Sequence, residues 1–190
     1  MRNYALSALL LCCVSAKAQL RLPVKITNEI SPVLSKVIAD YPNDFVNIKG
    51  ELLEEQPSII NYACVLNMKG MQPGIISQYG YEDEHAFSWK NVLLETESFE
   101  EAKSKYKQFY NNIKKTVSSI EKLEIKLEAD YTEPEEFKTF NTIRFKMETM
   151  QELVKDVTVD LTMQYEMDKW KVLVSVYHIE DAGNSLAGSE

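Results

Sequence analysis

The sequence predicts an α+β fold, in which an antiparallel sheet of about eight strands carries two helices packed on one face. Two observations lead to this fold class. Segments in which apolar and polar residues alternate indicate strands with one buried and one solvated face, as antiparallel sheets have. Two other segments repeat their apolar residues at helical spacing behind a helix start signal. The chain has 190 residues but only six glycines and six prolines. This composition excludes collagen and low-complexity disorder.

Two helices are predicted from their start signals and apolar stripes. The first follows Ser31-Pro32, an N-cap and a proline at the first helical position, and ends at Pro42-Asn43-Asp44. Its stripe is formed by Val33, Leu34, Val37, Ile38 and Tyr41. The second begins at Ser98, with Glu101 three residues later in the capping-box pattern. Its stripe is formed by Phe99, Ala102, Tyr106, Phe109, Tyr110, Ile113 and Val117.

Strands are predicted in two sets of four. In the first half of the chain the candidates are Val46–Glu54, Ile59–Met68, Ile75–Tyr81 and Phe87–Glu95. In the second half the alternation is more regular, and the candidates are Lys122–Tyr131, Thr142–Met147, Val157–Glu166 and Lys169–Ile179. The very short break at Met167-Asp168 predicts a hairpin between the last two strands.

The order helix, four strands, helix, four strands predicts an internal duplication. The pairs Ile48 and Ile125, Met68 and Met147, and Trp89 and Trp170 correspond at separations of 77, 79 and 81 residues. Chance similarity between amphipathic strands is the alternative explanation. We therefore expect one α+β domain over 19–180, made of two similar halves at about 28–96 and 97–180, with a disordered tail at 181–190. Pairing of the copies edge to edge would place both helices on one face and hide two strand edges.

This element order is similar to that of the β-lactamase inhibitory protein family, whose members also duplicate a helical segment followed by four strands. The similarity implies that a sheet of this kind can serve as a secreted binding surface without catalysis. It lies in the order of elements alone, so no functional residue is carried over to this chain.

Residues 1–18 are typical of a secretory signal peptide. Arg2 is followed by the apolar run Tyr4–Val14, and Ala16-Lys17-Ala18 has the small-x-small cleavage pattern. A buried N-terminal helix is one alternative, and a lipid anchor at Cys12 or Cys13 is another, although no small residue directly precedes either cysteine. No later run reaches the roughly 18 apolar residues of a membrane helix. We expect an exported mature protein, periplasmic or extracellular, without a transmembrane segment.

The sequence indicates no catalytic, cofactor-binding or metal-binding residues. Cys64 could act as a nucleophile with His85 or His178 as its base, but it shares strand parity with apolar residues and is predicted to lie in the core. Glu82-Asp83-Glu84-His85 is predicted to be a solvated acidic turn rather than a metal site. Nucleophile-elbow, P-loop and dinucleotide-binding patterns are missing from the sequence, so no cofactor is expected.

What remains for function is surface recognition. The 29 acidic residues outnumber the 21 basic ones, which argues against nucleic acid as a partner. A weak candidate binding surface is the aromatic group around one predicted hairpin, formed by Tyr79, Tyr81, Phe87 and Trp89. The alternative is that Phe87 and Trp89 pack under the second helix. The oligomeric state is left open by the sequence.

These observations predict an exported, non-catalytic binding protein of the cell envelope or extracellular space, with a protein, peptide or glycan as partner. The first alternative is a secreted or periplasmic hydrolase that uses carboxylates brought together by the fold. A structural component of the envelope that associates with itself is a third interpretation.

Overall fold

A computed structural model of the protein describes residues 30–81, 84–120, 123–148 and 157–178. The first half contains helix α1 (Ile30–Asp40) and strands β1 (Lys49–Gln56), β2 (Ile59–Cys64), β3 (Ile75–Tyr81) and β4 (Glu84–Thr96). The second half contains helix α2 (Phe99–Ile113) and strands β5 (Val117–Ile120), β6 (Leu123–Glu128), β7 (Phe140–Glu148), β8 (Val157–Glu166) and β9 (Lys169–His178). The predicted α+β class is confirmed, whereas the predicted signal peptide and C-terminal tail lie outside the described residues.

The strands form one antiparallel sheet in the order β1-β2-β3-β4-β9-β8-β7-β6-β5. Each half of the chain is a meander of neighbouring strands, and the two meanders meet where β4 pairs with β9. The described part has nine strands rather than eight. The additional strand, β5, begins at Val117, which the sequence placed on the stripe of the second helix. That helix instead ends at Ile113.

Local sequence explains several element boundaries. Helix α2 begins as predicted, because the Ser98 side chain accepts a hydrogen bond from the main-chain N–H of Glu101 at 3.2 Å. The β8–β9 hairpin is also confirmed, with positive φ angles of 51° at Met167 and 59° at Asp168. Positive φ at both central residues is the geometry of a type I′ turn, whose twist matches that of the strands.

Ser31 differs from its prediction as a helix cap. It lies inside α1, and its hydroxyl donates to the main-chain oxygen of Asn112 at 3.0 Å. The hydroxyl of Thr116 donates in turn to Ser31 Oγ at 3.0 Å. Ser31 therefore links α1 to the end of α2, a long-range contact that a local capping rule cannot reveal.

A single buried cluster joins both helices to the sheet. Helix α1 contributes Ile30, Leu34, Val37 and Ile38, and helix α2 contributes Ala102, Tyr106, Phe109 and Ile113. The central strands contribute Trp89, Val159, Leu161, Met163, Val172, Val174 and Val176. We call the face that carries these strand residues the inner face. Alternate residues of the same strands, including Arg144, Asp160 and Tyr177, define the outer face.

Helix α2 contacts the inner face directly. The rings of Tyr110 and Phe145 have centroids 5.7 Å apart, and those of Phe99 and Trp170 are 5.1 Å apart. Within the described residues, neither helix has the length and apolar character required to cross a membrane.

Candidate functional site

The structure separates the aromatic residues that the sequence grouped around one hairpin. Ile76 pairs with Trp89 and Gln78 with Phe87, so Phe87 and Trp89 share the inner face. Trp89 is fully buried, and Phe87 is partly buried against the core cluster. Tyr79 has the opposite strand parity and is 41% exposed. The side chain of Tyr81 lies outside the described residues. Tyr79 and Trp89 therefore cannot contribute to the same surface.

The candidate nucleophile Cys64 is a core residue, as predicted from its strand parity. It is 3% exposed and forms no disulfide. Burial raises the pKa of its thiol, which disfavours the reactive thiolate. The two histidines are exposed, His85 near the start of β4 and His178 at the end of β9. Among the described residues, no group of three or more His, Cys, Asp or Glu side chains could hold a metal ion. Glu82 and Asp83 lie outside the described ranges.

The main polar feature is a group of three side chains on neighbouring strands of the outer face. Arg144 on β7 donates to both carboxylate oxygens of Asp160 on β8, from Nε at 3.0 Å and from Nη2 at 3.1 Å. Tyr177 on β9 donates to Asp160 Oδ2 at 2.6 Å and accepts from Arg144 Nη2 at 3.0 Å. We call these three residues the Arg–Asp–Tyr triad. The fork-shaped pairing fixes the plane of the guanidinium as well as its position.

The triad holds the charged guanidinium of Arg144 in a fixed position at the surface. The Asp160 side chain is 9% exposed, whereas that of Arg144 is 52% exposed. The hydrogen bonds to Asp160 raise the pKa of Arg144, so the guanidinium is charged. Burial, followed by the hydrogen bond to Asp160, raises the pKa of Tyr177 and keeps its phenol protonated. Asp160 is thereby fully engaged, and the positive charge of Arg144 faces solvent.

An open groove of about 560 Å³ lies beside Arg144, between β6 and β7. Its lining comprises the basic residues Lys114, Arg144 and Lys146, the acidic residues Glu128 and Asp130, and the apolar residues Ala129 and Met147. The lining carries three basic and two acidic residues, and the charge of Arg144 is balanced by its partner Asp160. The described lining contains no cysteine, serine or histidine, and its ionisable groups are two lysines, one arginine and two carboxylates.

The groove exists because the chain leaves the sheet after Glu128. Strand β6 pairs with β7 only from Lys126 to Glu128. Beyond that point, Tyr110 donates its hydroxyl hydrogen bond to the main-chain oxygen of Ala129 at 2.8 Å. The ring of Tyr131 lies 5.1 Å from that of Tyr110 and 6.5 Å from that of Tyr106. These contacts draw 129–131 towards α2 and open a gap next to β7.

The triad does not use every donor of the Arg144 guanidinium. Arg144 uses Nε and Nη2 for Asp160 and Tyr177, while Nη1 donates to no residue in the described part of the chain. A guanidinium already held in place loses little side-chain entropy when its free edge meets a carboxylate. Lys146 and Lys114 add two further cations around the same opening.

The sequence alone does not single out Arg144, Asp160 or Tyr177 as a site. The signal that could have joined them is strand register, since Arg144 pairs with Asp160 across β7 and β8. Tyr177 is diagonal to Asp160, because its partner on β8 is Thr158. The sequence does not give this register, because β7 and β8 are not joined by a short turn whose length would set it.

Comparison with known proteins adds no further constraint: no family model, curated protein or solved structure matches this chain.

Proposed function

We propose that this chain is an exported, non-catalytic binding protein of the cell envelope or extracellular space. Its ligand, a protein, peptide or glycan, binds in the groove between β6 and β7. One observation carries the proposal: Arg144, which lines the groove, is fixed by Asp160 and Tyr177, and its third guanidinium nitrogen donates to no residue that the structure describes. Fixed charged donors beside an open groove are suited to recognition.

The proposal includes two features of the architecture. In the proposal, both helices lie on the inner face, so the outer face and its triad are free for a ligand. The shared cluster of helix and inner-face residues supports this arrangement. It also takes the two halves to be copies of one unit, a view supported by the mirrored strand order about the β4–β9 pair. The signal-like residues 1–18 support export.

The hydrolase alternative from the sequence stays a prediction, because no specific observation favours it. The buried carboxylates in the described part are Asp40 and Asp160. Asp40 accepts from the main-chain N–H of Asn47 at 3.0 Å and so holds the turn after α1. Asp160 holds Arg144. Each therefore has a structural partner of its own.

The proposal is tested by titrating the protein with short acidic probes of two kinds, oligoglutamate and oligogalacturonate. We expect at least one to bind, and Arg144→Gln to weaken it by about tenfold or more, as expected for loss of a charged hydrogen bond. Lys126→Gln is the matched control, since Lys126 is exposed on β6 but does not line the groove. Equal weakening by both substitutions, or no binding of either probe, would contradict a ligand site at Arg144.

A further inference from the structure

We propose that the ligand of the groove is an extended acidic peptide, which adds to the free edge of β7 as an extra strand. This inference rests on the proposed function and names its ligand class. It is carried by the position of Arg144 next to a stretch of β7 edge that has no main-chain partner among the described residues. Main-chain pairing supplies affinity in this mode of recognition, and side-chain contacts supply specificity.

The turn between β8 and β9 determines which main-chain groups of β7 point away from β8, towards the side on which the groove lies. A two-residue turn is closed by a hydrogen-bonded pair, here Glu166 and Lys169. Antiparallel strands alternate hydrogen-bonded and non-hydrogen-bonded pairs, so the even-numbered residues of β8 bond to β9 and the odd-numbered ones to β7. The hydrogen bond from Tyr165 N to Thr139 O, at 2.8 Å, agrees with this assignment.

The same alternation assigns the free edge. Odd residues of β8 pair with odd residues of β7, as Leu161 does with Ile143. The N–H and C=O groups of the even residues Phe140, Thr142 and Arg144 therefore point away from β8. On that side, β6 pairs only with the residues of β7 from Lys146 onward. No main-chain group in the described part of the chain pairs with the three even residues on that side.

The three residues on this edge are exposed or partly exposed, and their main-chain groups suit a peptide. Phe140 is 62% exposed, and Arg144 is also exposed. Alternating donors and acceptors along a strand edge match the main chain of an extended peptide, which a glycan does not reproduce. Because Arg144 and Thr142 lie on the outer face, the added strand would place alternate side chains beside the guanidinium. Acidic side chains at those positions would meet Arg144 and Lys146.

The other long sheet edge, β1, is less suited to this role. Its pairing with β2 is interrupted by register shifts between Lys49 and Leu52 and between Leu52 and Glu54. Bulges of this kind twist an edge away from added strands. Strand β1 also carries three exposed glutamates against one lysine, whereas the groove sets three basic residues against its two carboxylates.

The test compares blocked octapeptides on the full chain. The first alternates Thr and Glu, the second is the same peptide N-methylated at alternate residues, prepared in two versions with the methyl groups on every Glu or on every Thr, and the third has Lys in place of Glu. Oligogalacturonate is the fourth probe. Affinity is measured by titration calorimetry, and amide hydrogen exchange is followed at Phe140, Thr142 and Arg144.

We expect the Thr-Glu peptide to bind and to slow exchange at these three amides. Methylation of the peptide nitrogens that face β7 removes their hydrogen-bond donors and should weaken binding by about tenfold or more. The change from Glu to Lys should weaken binding by a similar factor. Equal affinity of the N-methylated peptides in both registers, or protection of β1 amides in place of β7 amides, would overturn strand addition while leaving an acidic ligand site intact. Binding of oligogalacturonate alone would also overturn the peptide assignment, whereas binding of no probe would remove the proposed function itself.

Discussion

At the scale of single residues, Asp160 shows how a carboxylate is accommodated on a sheet face that carries no core cluster. It is nearly buried, yet Arg144 and Tyr177 satisfy both of its oxygens. Burial of a charge is costly unless the charge is paired and hydrogen-bonded. The triad meets both conditions, and it does so with residues from three neighbouring strands, so it also ties β7, β8 and β9 together.

Asp160→Asn should lower the free energy of unfolding. The amide keeps the size of the side chain but removes the negative charge and presents an NH₂ group to the donors of Arg144 and Tyr177. We expect a loss of about 1–3 kcal/mol, towards the lower end because Arg144 is half exposed and can turn to water. Urea unfolding at neutral pH measures the change. Glu124→Gln, at an exposed position on β6, is the control, and an equal loss in both variants would exclude a special role for the triad.

Tyr106 should make the protein sensitive to alkali. Its hydroxyl donates to the main-chain oxygen of Leu161 at 3.1 Å, and burial raises its pKa well above the usual value. The folded state therefore holds the phenol proton more tightly than the unfolded chain does. This contribution to stability is complete below about pH 10 and is lost as pH rises towards the folded-state pKa.

Tyr106→Phe separates that titration from the loss of the hydrogen bond. At pH 7, where the phenol is protonated in both states, the variant shows only the cost of the missing hydroxyl. Between pH 9 and 11 the unfolding free energy of the wild type should fall more steeply than that of the variant. Parallel curves over this range would show that Tyr106 does not titrate on unfolding.

At the scale of elements, the sequence predicts what local chemistry determines. The Ser98 cap, the Met167-Asp168 turn and the bounds of β3 and β8 agree with the structure because each depends on neighbouring residues. The site could not be predicted in this way. Arg144, Asp160 and Tyr177 meet only through strand register, and the groove depends on Tyr131 leaving the sheet for α2. Trp89 was grouped with Tyr79 because hairpin proximity alone does not indicate which face a side chain occupies.

Met167→Asn should stabilise the β8–β9 hairpin. Met167 has a φ of 51°, a left-handed conformation that favours Asn or Gly, and its side chain is 82% exposed. We expect a gain of about 0.5–1 kcal/mol, within the range of single stabilising changes. Thermal or urea unfolding measures it. Met167→Ala removes the same exposed apolar surface without favouring positive φ, so it should give no comparable gain; an equal gain in both variants would attribute the effect to hydrophobic exposure.

At the scale of the whole molecule, the sheet places the four strands of the first half on one side of the β4–β9 junction and the five strands of the second half on the other. Trp89, Val172, Val174 and Val176 are all almost completely buried at this junction. The same buried cluster includes residues of α1 from the first half and of α2 from the second. Neither half can therefore lose its structure without exposing the core of the other, whatever their evolutionary relation.

This shared core predicts one cooperative unfolding transition, and the two tryptophans of the chain report on it separately. Trp89 lies on β4 in the first half and Trp170 on β9 in the second, at 0% and 5% exposure. In Trp170→Phe the fluorescence reports the first half alone, and in Trp89→Phe it reports the second. Within each variant, fluorescence and far-ultraviolet circular dichroism should give the same urea midpoint, as two-state unfolding requires. A fluorescence midpoint well below the dichroism midpoint in either variant would show that the two halves unfold as separate units.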